Sequence, residues 1–438
     1  MPTSTRLVLV AAAAAALVVG LGVCAVGLLE TQDPLGVNET DAPSEPGGPL
    51  WPGWGGPGRN QISPGTGLLD RWPPEGPPEL WRVRGGGGYS GFALADGRLF
   101  TMVGRGGAEV VLCLDAADGR QIWAVRSDDD RTDSFGDGPR STPLIDGRRL
   151  YTLGASGVLL CLDVRDGSEL WRLDLVSRFG AAVPKWGFST SPLLEGDKLI
   201  VNVGGRPGAS FVAFDKTDGR VLWKCLDDPA GYSSPIAVTV DGMRQIVQTT
   251  GVRPVGLSPD DGRLLWEIPW KNQYETNIAT PVWWADEKMV FISSGYDKDA
   301  LAARLSAADG RVRAEVVWES PVLKNHQADS ILRHGRLYGI HGNGTGVLKC
   351  VEMQTGRQAW VDRCVGKGTV FFADGHLYVL SDKGELALVA ADPTGFREKG
   401  RFRPLSGKCW TAPLVIGGRM YLRNEKEIAC YRVAKPAA

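Results

Sequence analysis

An all-β ring, an eight-bladed β-propeller of four-stranded antiparallel blades, is the fold these 438 residues predict, and three observations predict it. An aromatic residue recurs just after a glycine turn at Trp123, Trp171, Trp223, Trp266, Trp318 and Trp360, with Trp81 as a forerunner and Phe402 as a weaker copy. From Trp81 onward the steps are 42, 48, 52, 43, 52, 42 and 42 residues, the period of propeller blades. Two ladders of turn dipeptides run in step with the aromatics. The strand count leaves one strand over at the beginning and one missing at the end, as a ring closed by its own termini requires.

Taken in chain order, Leu7 to Leu29 is an uncharged apolar run of 23 residues. As a helix it covers a hydrocarbon core of about 30 Å. We read residues 1–29 as a signal anchor or transmembrane helix; the small residues around Cys24 keep a cleaved signal open as the alternative. Arg6 precedes the run and Glu30 and Asp33 follow it, which places the N-terminus in the cytoplasm and the rest outside, on the periplasmic side. If the signal is cleaved, the protein is secreted. Residues 30–79 hold 11 Pro and 10 Gly and read as a tether. Its large apolar residues, Trp51, Trp54, Ile62, Leu68, Leu69 and Trp72, are out of place in solvent, so from about residue 51 it is expected to dock on the folded part.

Residues 80–438 carry the repeat. Each unit opens on a short strand and a tight turn, at Asp96-Gly97, Asp146-Gly147, Glu195-Gly196, Asp241-Gly242, Asp286-Glu287, His334-Gly335, Asp374-Gly375 and Gly417-Gly418. A second turn, such as Asp118-Gly119 or Asp218-Gly219, stands four residues before the aromatic. Eight opening turns meet only seven following aromatic strands. The strand around Trp81 is therefore predicted to complete the last blade.

Composition narrows the function. With 49 Lys+Arg against 50 Asp+Glu, the chain lacks the basic excess that phosphate binding needs, so nucleic acid is excluded as a partner. Hydrophobic residues at 43% and charged residues at 23% are ordinary globular usage.

The segments Cys161–Trp171 (CLDVRDGSELW) and Ala213–Trp223 (AFDKTDGRVLW) resemble the tryptophan-docking repeat of pyrroloquinoline-quinone (PQQ)-like propellers. The approach from Trp51 to Pro64 and the close around Trp410 resemble that family as well. The resemblance implies the propeller fold and indoles that dock each blade on the next. It implies either of two functions: a non-catalytic, BamB-like scaffold, which we favour, or a PQQ-dependent alcohol or sugar dehydrogenase with calcium. The chain has no Cys-Cys pair of the kind such dehydrogenases often carry, and about 45 residues per blade leave little for a lid. The family's motif Asp is replaced by Ser258, Ser306, Glu352, Ala391 and Arg432.

Among candidate site residues, Cys113, Cys161, Cys350 and Cys430 share one repeat position and read as small buried hydrophobes, too far apart to pair. The pairing of Cys225, Cys364 and Cys409 stays open, and no metal-site spacing occurs. His334 and His376 sit in opening turns; the glycine run after His341 links strands. No catalytic constellation stands out. A ligand would sit where chain enters the inner strands, at Tyr89, Lys185, Trp186, Asn277, His326, Gln327, Asp329, Lys408 and Trp410. Of these, Lys185, Trp186, His326 and Lys408 are the candidates for holding an anionic planar cofactor; the plainer reading is that they line a wet channel. The expected partner is a protein or an envelope polymer, bound through the propeller faces.

Overall fold

The computed structural model describes residues 48–436. The Leu7–Leu29 run lies outside the described residues. Among those described, no helix is long and apolar enough to cross a membrane.

Eight antiparallel sheets follow one another along the chain. Blade 1 consists of Ala93–Ala95, Arg98–Arg105, Ala108–Asp115 and Gln121–Asp129, from the innermost strand outward, and the next six blades repeat this order. Blade 8 takes three strands from the C-terminus, Leu414–Ile416, Arg419–Arg423 and Glu427–Arg432. Its fourth is Glu79–Arg84, paired antiparallel with Trp81 opposite Cys430. The predicted closure is thus the observed one. All eight predicted opening turns connect an inner strand to its neighbour.

Why tryptophan recurs follows from the register. In every blade the pairing of third and fourth strands slips by one residue, a β-bulge that re-aims the following side chain. The skipped residues include Leu80, Leu170, Leu222 and Val317, which for that reason stand exposed on the rim. The re-aimed indole lies opposite a small residue: Cys430 for Trp81, Cys113 for Trp123, Cys161 for Trp171, Cys350 for Trp360. It then reaches the turn of the next blade. Indole Nε1 donates to a turn carbonyl from Trp81 (Ala116), Trp123 (Val164), Trp223 (Pro259), Trp318 (Met353) and Trp360 (Asp392), at 2.8–3.2 Å. The turn glycine is needed for contact as well as for its left-handed backbone: a Cβ on Gly119 (φ +76°) would lie 2.6 Å from the Trp81 ring.

Three spokes depart from this scheme, the first being Trp171, whose ring packs on Gly219 but whose Nε1 is buried without a hydrogen-bond partner. Trp266 donates instead to Gln245, because the long strands Ala300–Ala308 and Arg311–Ser320 carry the Asp309-Gly310 turn out of its reach. In blade 7 the residue at the spoke position is Gly400, opposite Leu388, and not Phe402 as the repeat suggested. The missing indole comes from the approach segment. Trp72 packs on Gly400, its backbone N–H donates to the Lys399 carbonyl at 3.0 Å, and its ring meets Tyr378 at 5.7 Å, as Trp360 meets Tyr338 at 6.0 Å. The same segment rebuilds the turn that closure interrupts. The Pro78 carbonyl accepts from Arg432 N–H at 2.8 Å, and Gly76 lies under Phe402.

The rest of the approach segment lies across the channel. Trp51 bonds to Leu94, the Pro52 carbonyl accepts from Ile145, and Ile62–Ser63 runs parallel to Gly368–Ala373. Arg59, 8% exposed, donates to the carbonyls of Ser191, Pro192 and Pro235. Burial lowers its pKa to about 9, and it faces the charge of Asp329, whose carboxyl is pushed up to about 6 by burial. Nearly every blade contributes to this floor.

Candidate functional site

Above the floor, loops that lead into several of the inner strands bring their side chains together at a mouth. Its wall is largely aromatic. Tyr89 packs on Trp410 with centroids 4.7 Å apart, Trp410 neighbours Phe135 at 6.3 Å, Phe135 meets Trp186 edge-on at 5.5 Å, and Trp186 meets Tyr232 at 5.7 Å. Phe135 belongs to the connection between blades 1 and 2 and is 41% exposed. Nothing in the repeat pattern singles it out, because it sits between strands in a stretch with no counterpart in the other blades.

Cations sit over these rings. Lys185 Nζ lies 5.0 Å from the Trp186 centroid; Lys408 and Lys367 approach Trp410 to 4.9 and 5.5 Å. Lys408 is not a free charge. Its ammonium donates to the Phe135 carbonyl at 2.5 Å and to the Tyr89 hydroxyl at 3.2 Å, and lies 3.6 Å from Glu425, which accepts from that hydroxyl at 2.7 Å. Burial beside Glu425 drives the Tyr89 hydroxyl far above its usual pKa, so it stays protonated as a donor. This network holds the Phe135 loop in place. Lys185 and Lys367 make no ion pair among the described residues.

Of the four cofactor candidates, Lys185, Trp186 and Lys408 therefore converge around Phe135. His326 stands apart, in a notch beside Lys367 and edge-on to Tyr296 at 4.9 Å. Two further residues named from the sequence serve the scaffold. Asn277 donates its amide to the carbonyls of Thr250 and Gly251, and Asp329 accepts from Thr280 N–H beneath the mouth.

The donor set does not suit the calcium that accompanies PQQ. Calcium takes six to eight oxygen ligands, whereas two of the carboxylates at the mouth are engaged by protein partners, Glu425 as above and Asp133 on Arg140 at 2.6 Å. Among the described residues no group of three His, Cys, Asp or Glu is placed to hold a metal ion. All seven described cysteines are unpaired.

Ring, indole spokes and a mouth built on blade-entry loops define an eight-bladed propeller of the PQQ-like repeat class. A family model described as outer membrane protein assembly factor BamB matches residues 107–362, more than half of the chain. The chain belongs to that family. Among solved structures, BamB from Moraxella catarrhalis is 14% identical with a TM-score of 0.57, covering 80% of this chain and 99% of that one. Quinohemoprotein alcohol dehydrogenase from Comamonas testosteroni is 13% identical with a TM-score of 0.60, covering 89% and 81%. At such identities the likeness is one of fold. No curated protein matches the chain by sequence.

Proposed function

We propose that this protein is an exported, membrane-tethered propeller of the cell envelope that acts as a binding scaffold and receives a partner at its aromatic mouth. The observation that carries this is the arc of Trp186, Phe135, Trp410 and Tyr89 with Lys185 and Lys367, which make no ion pair among the described residues, over a floor laid by the chain's own segment. Aromatic anchors beside cations are what binding hot spots use. Family membership supports a protein partner in the envelope, since the family is described by outer membrane protein assembly.

A photo-crosslinking residue at Phe135 in cells is expected to yield a discrete adduct. The same residue at Asp197, in the turn that opens blade 3, is expected to yield none. Equal patterns from both positions would remove the mouth as the binding face.

The quinone-dependent oxidoreductase is the second reading, favoured by the planar rings and lysines of the mouth and by the fold shared with an alcohol dehydrogenase. Reconstitution with PQQ and calcium decides between them. Dye reduction with an alcohol or a sugar would overturn the scaffold reading.

A further inference from the structure

The cations of the mouth fall into two groups. Lys408 lies 3.6 Å from Glu425, and Arg140 is paired with Asp133 at 2.6 Å, so the charges of these two are compensated. Lys185, Arg131 and Lys367 make no ion pair among the described residues. Arg131 donates to the Lys185 carbonyl at 2.9 Å, and Asp382 acts on the Lys367 charge only from beyond ion-pair distance. Uncompensated positive charge therefore stands at both ends of the aromatic arc, Lys185 and Arg131 beside Trp186 and Lys367 beside Trp410, with Phe135 between them. Lys185 is exposed, Phe135 is 41% exposed, and Trp186, Trp410 and Lys367 are partly exposed, so a partner reaches them on the surface, without a cavity.

Spacing and ring access narrow the partner. From Lys185 to Trp186, Phe135, Trp410 and Lys367, each step is between 5.0 and 6.3 Å. The two ends are thus no farther apart than about seven residues of extended chain, at roughly 3.3 Å per residue. Lys185 sits over Trp186, and Lys408 and Lys367 over Trp410, which leaves little open indole face on which a sugar could stack. Phe135 has no cation over it among the described residues and is the open ring of the arc. A carboxylate answers an ammonium, and a large apolar side chain answers an exposed phenyl ring. A polypeptide offers both within so short a stretch, whereas a polysaccharide needs the ring faces that the lysines cover.

We infer that the mouth binds a short acidic segment of a partner protein, with an apolar side chain seated on Phe135 and carboxylates on either side of it paired with Lys185 and Lys367. This deepens the reading of the mouth as a binding face and rests on it.

Panning a displayed random-peptide library against the full chain tests it. Enriched peptides are expected to carry acids on both sides of an aromatic or large aliphatic residue. A fluorescent copy of the most enriched peptide is expected to bind saturably in anisotropy titrations and more weakly as salt is raised. Replacing its acids by amides is expected to weaken it roughly tenfold. Lys185→Met and Lys367→Met are each expected to weaken it about threefold, as partly exposed charge pairs do, and Phe135→Ala about tenfold, with thermal melting unchanged. Lys198→Met, beside the opening turn of blade 3, is expected to leave the affinity as it is. No enrichment, enrichment of basic or uncharged peptides, equal affinity of the amide peptide, or insensitivity to both mouth lysine substitutions would each overturn the inference. Tighter binding of polygalacturonate than of the peptide would give the mouth to a polysaccharide and overturn it as well. A crosslinked adduct at Phe135 without an acidic preference in the library would leave the scaffold reading standing, so the two failures are distinguishable.

Discussion

Replacing Trp72 by alanine perturbs a residue that lies outside the repeat and yet fills a spoke position. Trp72 is 4% exposed, packs on Tyr378, Phe402 and Gly400, and substitutes for the indole that blade 7 lacks. Deleting a buried ring of this size costs about 3–5 kcal/mol through lost transfer free energy and the cavity left behind. Residues 48–436 unfold with an entropy of about 0.8 kcal/mol/K near 60 °C, taking roughly 2.1 cal/mol/K per residue. Trp72→Ala is therefore expected to lower Tm by about 4–6 °C in calorimetry, as much as Trp360→Ala within the repeat. A loss within about 1 °C, the response of a surface tryptophan on a loose tether, would refute the assignment of Trp72 to blade 7.

Further outcomes follow from the same contacts. Gly119→Ala and Gly310→Ala both strain a left-handed backbone, but only the first drives a Cβ into an indole; Gly119→Ala is expected to be the more destabilising by about 1–3 kcal/mol in chemical denaturation. Glu109 is fully buried and its pKa is raised to about 8 by burial and by Asp128 and Asp130 nearby. The folded state thus holds this proton more tightly than the unfolded one, and stability is lost as pH rises from about 4.5 to about 8. Glu109→Gln is expected to raise Tm at pH 8 and to leave it unchanged at pH 4.5. Burial pushes the thiols of Cys113, Cys161, Cys225, Cys364 and Cys409 up to about 12 and those of Cys350 and Cys430 to about 11. All seven are expected to resist a thiol reagent at pH 8 until denaturant is added.

The ring was legible because its signals are local and repeated: a turn dipeptide, a small residue, an indole. The cysteines opposite the indoles fell into place by the same logic, small residues where a ring must lie against the strand. What the sequence concealed depends on distant chain. Trp72 and Gly400 are 328 residues apart, and neither looks unusual alone. Arg423 is fully buried and donates to the carbonyls of Gly86, Gly87, Gly88, Ser90 and Met102 and to the Thr101 hydroxyl, fastening blade 8 to blade 1. A lone arginine in a strand gives no hint of that, and neither does Arg59 in a proline- and glycine-rich stretch. At the mouth, Lys185, Trp186 and Lys408 were named because they lie a few residues before inner strands; Lys367, directly before the inner strand Gly368–Ala373, and Phe135, in the connection between blades 1 and 2, stand nearest them without matching that spacing. The fold can be read from periodicity; the site depends on loops, which have none.

The ring closes where its first strand zips against its last. Arg82 and Ala429 are direct partners in that pairing, close enough for a disulfide, which needs Cα atoms within about 7 Å. Under mild oxidation, Arg82→Cys combined with Ala429→Cys is expected to give a bond between these two residues in peptide mass mapping of the folded protein. A folded double variant in which both thiols stay reduced, or pair elsewhere, would contradict closure by Glu79–Arg84.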